Sequence, residues 1–188
     1  MAWLNSKDGY GGLTKILHWS IALLFAWQYL AGHTMVRLTP ETGALGLGQN
    51  DWYNWHKSIG LVALFIAVGR LWCRSAGRLP DWAPTLGPGE KAFIRRAEQI
   101  LYAAMLVMPV SGYVYVMAGD YGVRLFGMTD LANPLGRIEW LAVTARWTHI
   151  LSGYVLAATV LGHVGLVLHH HLVLGDGLLH RMLPRIRR

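Results

Sequence analysis

Four apolar runs, each about long enough to cross a bilayer, constrain this chain more than any other feature. They cover Leu13–Met35, Trp55–Cys73, Ala97–Ala118 and Trp147–Val173. Inside hydrocarbon a segment must satisfy its own backbone N–H and C=O groups, and a helix rising 1.5 Å per residue needs about 20 apolar residues to cross roughly 30 Å. Four such helices with short connections use most of a 188-residue chain. The expectation is therefore all-α: one membrane-embedded domain over residues 1–188, an integral membrane four-helix bundle. Only 14% of residues are charged, against about a quarter in soluble domains, which agrees with that assignment. The polar segment Met1 to Gly12 is followed by a span-length run with no small-residue cleavage site of the A-x-A kind, so the first run is expected to be a retained helix.

The connections are rich in breakers: Thr39, Pro40 and the glycines from Gly43 to Gly48, then Pro80 to Gly89, then Asn133, Pro134 and Gly136. Their charges are unequal. Arg70, Arg74, Arg78, Lys91, Arg95 and Arg96 gather around the second connection, and Arg181, Arg185, Arg187 and Arg188 lie in the C-terminal tail, whereas the first connection carries only Arg37 against Glu41 and Asp51. The positive-inside rule then puts both termini and the second connection in the cytoplasm. Basic residues beside apolar runs read as topology signals, so nucleic acid is not an expected partner despite the formal charge of +7. Trp3, Trp52, Trp72, Trp82 and Trp140 fall near the expected interfaces, where indole rings prefer to sit. A single cysteine, Cys73, excludes an intramolecular disulfide framework and an iron–sulfur cluster held by this chain alone.

Histidine is costly in hydrocarbon, so each intramembrane copy is a functional hypothesis. His18, His56, His149 and His163 lie within the four runs. His149 and His163 are fourteen residues apart, which is about 21 Å along a helix and about 40° short of four turns, so both leave one face at two depths. With the N-terminus inside, His18 shares the inner level with His163, and His56 shares the outer level with His149. Paired imidazoles from facing helices suit two axially ligated haems. Gly60 and Gly153 follow His56 and His149 by four residues each and leave no side chain one turn beyond, where a porphyrin could lie. The alternatives are glycines that serve helix packing and histidines that only hydrogen-bond between helices. One zinc ion cannot gather ligands from two levels.

The stretches LTKILHWSIALLFAWQYLAG (Leu13 to Gly32), HKSIGLVALFIAVGRLWCR (His56 to Arg74), PVSG (Pro109 to Gly112) and LLHRMLP (Leu178 to Pro184), with the His149 and His163 pair, resemble the bacterial cytochrome b561 family over nearly the whole chain. That resemblance implies a diheme b-type membrane cytochrome linked to quinone, some members of which oxidise superoxide while reducing ubiquinone. It carries haem-iron ligation onto His18, His56, His149 and His163.

Arg70 lies fourteen residues after His56, on the same face of its helix and at the inner level, where a haem propionate would be its natural partner; snorkelling to the interface is the alternative. Pro109 and Gly112 are expected to kink or thin the third helix. His169, His170 and His171 are expected at the cytoplasmic interface, satisfied by water or headgroups, and the tail from Leu178 is expected on the anionic inner leaflet. Lys57 and Arg146 each sit within a turn of an outer ligand and could steer an anion to that end or equally neutralise the propionates of the haem there. Two functional readings follow. In the first, the chain is an oxidoreductase that carries electrons from an outer-face reductant, superoxide among the candidates, to membrane quinone. In the second it is a non-catalytic anchor subunit that relays electrons from a partner dehydrogenase or hydrogenase to quinone. A haem-free bundle whose histidines merely pack remains a third.

Overall fold

The computed structural model describes residues 3–183. Arg185, Arg187 and Arg188, which entered the charge argument, lie outside the described residues. Four long helices carry the fold: α1 (Gly12–Met35), α2 (Gln49–Ala76), α3 (Pro88–Ala118) and α4 (Glu139–His169). The last continues through a π-helical turn, His170–Leu174, and the chain then reverses at Gly175 (φ 63°) and Gly177 (φ 74°) into a 3-10 turn, Leu178–Arg181.

Helices α2, α3 and α4 begin before the apolar runs do, because their first turns stand outside the hydrocarbon pattern, and in α2 and α3 those turns are stabilised by capping. The Asp51 carboxylate accepts the Gly48 N–H at 3.0 Å and Glu90 accepts the Gly87 N–H at 2.7 Å, while Pro88 supplies a first residue that has no N–H to satisfy. The segments Gln49–Ala76, Pro88–Ala118 and Glu139–Leu174 are long and apolar enough to cross a membrane. Helix α1 has 24 residues but is diluted by Lys15, His18, Gln28 and Tyr29. The breaker-rich first and third connections fold further than expected, into two-residue ladders: β1 (Gly43–Ala44) with β2 (Leu47–Gly48), and β3 (Arg124–Leu125) with β4 (Thr129–Asp130). The first turns through Leu45 and Gly46, both at positive φ, a backbone twist that suits tight hairpins.

Helix α1 packs along α2, α2 along α3 and α3 along α4, whereas any close backbone packing of α4 on α1 or α2 is sparse among the described residues. Ile21, Ala63, Ala67 and Met105 form the buried centre, and the two alanines let α2 approach its neighbours closely. Phe65, Tyr154, Leu161 and Leu172 point outward, as lipid-facing side chains do. Trp3, Trp72, Trp82 and Trp140 are exposed, as rings at an interface would be. Trp52 is not. It is buried, stacked on Trp27 with ring centres 5.5 Å apart, and its indole N–H donates to the Ala44 carbonyl at 3.2 Å. The β1–β2 turn covers it.

Candidate functional site

The gap that α4 leaves toward α1 and α2 is bridged by two pairs of histidine rings. His56 on α2 faces His149 on α4 with ring centres 6.1 Å apart, and His18 on α1 faces His163 on α4 at 6.3 Å. Two imidazoles bound to opposite sides of one metal, with bonds of about 2.0 Å and about 1.2 Å from each nitrogen to its ring centre, would stand about 6.4 Å apart. Both pairs are set at that spacing, and all four rings are half-buried.

The outer pair is braced by backbone. His149 Nδ1–H donates to the Met108 carbonyl at 2.7 Å, a tautomer that leaves Nε2 free to ligate. Pro109 and Ser111, whose hydroxyl donates back to the Val107 and Met108 carbonyls, modify this turn of α3. A side chain at Gly112 would meet the His149 ring, since its Cβ would lie 2.9 Å from Nδ1; at Gly32 it would lie 3.6 Å from His56 Cε1. The Gln28 amide donates to the His56 carbonyl at 2.9 Å, fixing α1 against α2. Gly60 admits that same amide, 2.9 Å from where its Cβ would stand, and also lines the cavity around the pair. Gly153 receives the Met108 methyl, and its carbonyl accepts a hydrogen bond from the Tyr29 hydroxyl. The cavity is otherwise largely apolar, with Phe25, Leu61, Pro109, Val116 and Leu156 in its walls.

Around the inner pair, Arg70 lies over the Tyr102 ring at 5.7 Å and close enough for its charge to act on both His18 and His163. Its Nε and Nη1 are buried with no hydrogen-bond partner among the described residues, as are His18 Nδ1 and His56 Nδ1. A buried guanidinium with open donors beside a coordination-spaced ring pair fits a haem carboxylate.

The two residues expected to steer anions have definite surroundings. Lys57 Nζ donates to the Gly122 carbonyl at 2.8 Å, and Arg146 lies over the Trp147 ring at 5.6 Å.

His170 departs from expectation. Rather than meeting water at an interface it is wholly buried, with Nδ1 2.5 Å from Asp176 and Nε2 2.9 Å from Glu90. The cluster joins the start of α3 to the end of α4. Asp176 is also held by the Thr85 hydroxyl and the Leu178 N–H, and these partners lower its carboxyl to about 2. The C-terminal strap likewise lies on protein. Lys15 Nζ donates to the Leu183 carbonyl at 2.7 Å and Trp19 Nε1 to the Met182 carbonyl at 3.0 Å, on either side of His18.

Helices that meet a fourth across coordination-spaced imidazoles make a membrane-embedded cytochrome. More narrowly, the chain belongs to the prokaryotic cytochrome b561 family, whose sequence model matches residues 9–185. It is 26% identical to cytochrome b561 homolog 2 of Escherichia coli, over 98% of this chain and 96% of that protein. It is 28% identical to cytochrome b562 of Cereibacter sphaeroides, over 97% of this chain and all of the relative. Members of this family are electron-transfer proteins of the membrane that bind b-type haem.

Proposed function

We propose that this protein holds two haems, one between His56 and His149 and one between His18 and His163, and moves electrons from an anionic reductant at its outer face to membrane quinone. The observation that carries this reading is the pair of ring separations, 6.1 and 6.3 Å, repeated at two depths of one bundle. Haem held by His56 and His149, and by His18 and His163, would supply a one-electron couple at each pair. The protein's part is to hold the rings, keep water away and set the local charge. His149 is held in its ligating tautomer by Met108, Arg70 offers its open donors to an inner propionate, and Gly60 borders the cavity around the outer pair. Lys57 and Arg146 make the outer mouth electropositive and attract an anion such as superoxide.

In this reading α1 is the fourth span. Its polar residues face inward: Gln28 and Tyr29 bond to α2 and α4 carbonyls, and Lys15 bonds to the strap. An inward polar face lowers the hydropathy of a helix without making it unfit for lipid. The bundle sits in the bacterial inner membrane with both termini in the cytoplasm.

Reduced-minus-oxidised spectra and potentiometry of single histidine variants test the pairing. His56→Ala and His149→Ala should lose one component, and His18→Ala and His163→Ala the other. Loss of the same component from His18→Ala and His56→Ala would refute it. The donor is tested on the intact protein: rapid reduction by superoxide that slows with salt supports the anionic reductant. Reduction only by quinol or a partner dehydrogenase would put the anchor-subunit reading in its place.

A further inference from the structure

At the outer end of α3 and α4 a recess of about 320 Å³ opens beside the histidine cavity, and Tyr115 forms a wall of both. Its floor is Ala118, Gly119 and Ala142, its rim includes Tyr121 and Val143, and two cations, Arg137 and Arg146, line it together with one carboxylate, Glu139. No ion pair among the described residues engages either arginine. The walls are fixed: the Ile138 N–H donates to the Ala118 carbonyl at 2.8 Å and Asn133 Nδ2 to the Met117 carbonyl at 2.9 Å, tying the connection before α4 to the end of α3. A diatomic anion needs about the volume of one water, ~30 Å³, whereas recesses of roughly 300 Å³ and above are of small-molecule size.

We propose that this recess binds a small organic anion: a carboxylate or phosphate head held by the Arg137 and Arg146 forks, with a short flat apolar body against Tyr115, Tyr121 and the alanine and glycine floor. The inference rests on reading this end as the electropositive outer mouth, and adds a defined binding site to it. A lipid headgroup and a soluble organic acid present the same chemistry to the two arginines.

The test is isothermal titration of the full-length oxidised holoprotein in phosphatidylcholine nanodiscs, with 4-hydroxybenzoate as probe and 4-hydroxybenzamide as its uncharged counterpart. Saturable binding of the benzoate and none of the amide is expected. Arg137→Gln should weaken binding at least tenfold and Glu139→Gln should tighten it. Val143→Trp, which fills the recess from the exposed rim without touching the charges, should abolish binding while the haem spectrum stays intact. If phosphatidylglycerol nanodiscs block the probe, the headgroup is the anion the recess takes; if they do not, a soluble acid is. Equal binding of both probes, absence of saturable binding in phosphatidylcholine, or indifference to all three variants overturns the proposal. No donor is used, so failure of superoxide to reduce the protein would leave this result untouched.

Discussion

Substituting alanine at Gly112 separates a haem ligand held in place by its neighbours from one that merely happens to point inward. The added Cβ would stand 2.9 Å from His149 Nδ1 and 3.0 Å from Cε1. Ordinary contact begins at 3.4 Å, so ring or helix must yield by about 0.4–0.5 Å. The ring has little freedom to move, because Met108 holds its Nδ1 at 2.7 Å and His56 faces it at 6.1 Å. Metal–ligand distances tolerate about ±0.2 Å, and disturbing the partner that orients a ligating histidine typically costs about 10–100-fold in affinity. Gly112→Ala should therefore deplete or shift the outer component alone, read as the haem-to-protein ratio by pyridine haemochrome and as one displaced midpoint in a potentiometric titration. Gly32→Ala is the matched control. Its Cβ would lie 3.6 Å from His56 Cε1, an ordinary contact, and alanine suits a helix better than glycine, so both components should persist. Full occupancy and unchanged midpoints in Gly112→Ala, or equal losses in the two variants, would refute the argument that Gly112 exists to admit the His149 ring.

Two further outcomes are expected. Cys73, near the inner end of α2, should react with a membrane-impermeant maleimide in inverted but not in right-side-out vesicles, and labelling in intact cells would reverse the orientation proposed for the chain. Asp176, lowered from an ordinary 3.8 to about 2 by Thr85 and His170, contributes stability that is fully present above about pH 4 and is lost as the pH falls toward 2. Thermal melts of the wild type should decline through that window, while Asp176→Asn should start lower at neutral pH and decline less steeply; parallel profiles would remove the cluster from the account of stability.

What the sequence made legible was whatever obeys a period or a length. Hydropathy marked the three helices long and apolar enough to cross a membrane, because lipid selects apolar residues over about 20 positions whatever the partner helices do. It missed the first turns of α2, α3 and α4, which stand beyond the apolar runs and depend on the single carboxylates Asp51 and Glu90 in two of these helices. The same averaging ranks α1 lower, because its polar side chains Lys15, Gln28 and Tyr29 bond to carbonyls of other elements. The ring pairs were legible because fourteen residues return a helix nearly to its starting face, so one helix can offer two ligands at two depths. Their supports were not. Gly60 and Gly153 stand one turn past a histidine, a spacing that suggests haem clearance, yet what a Cβ at these positions would meet is the Gln28 amide and the Met108 methyl. The glycines that face the rings, Gly32 and Gly112, lie on α1 and α3, with no periodic relation to His56 or His149. His170 departs from the interface expectation for a related reason. Three consecutive histidines at a helix end look like an interface, and only the π turn and the reversal at Gly175 and Gly177 bring Asp176 back against its ring, with Glu90 arriving from a helix eighty residues earlier. Contacts within one helix are written in spacing, whereas contacts between helices depend on which faces meet. In this bundle α4 meets α2 at the His56 and His149 rings and α1 at the His18 and His163 rings.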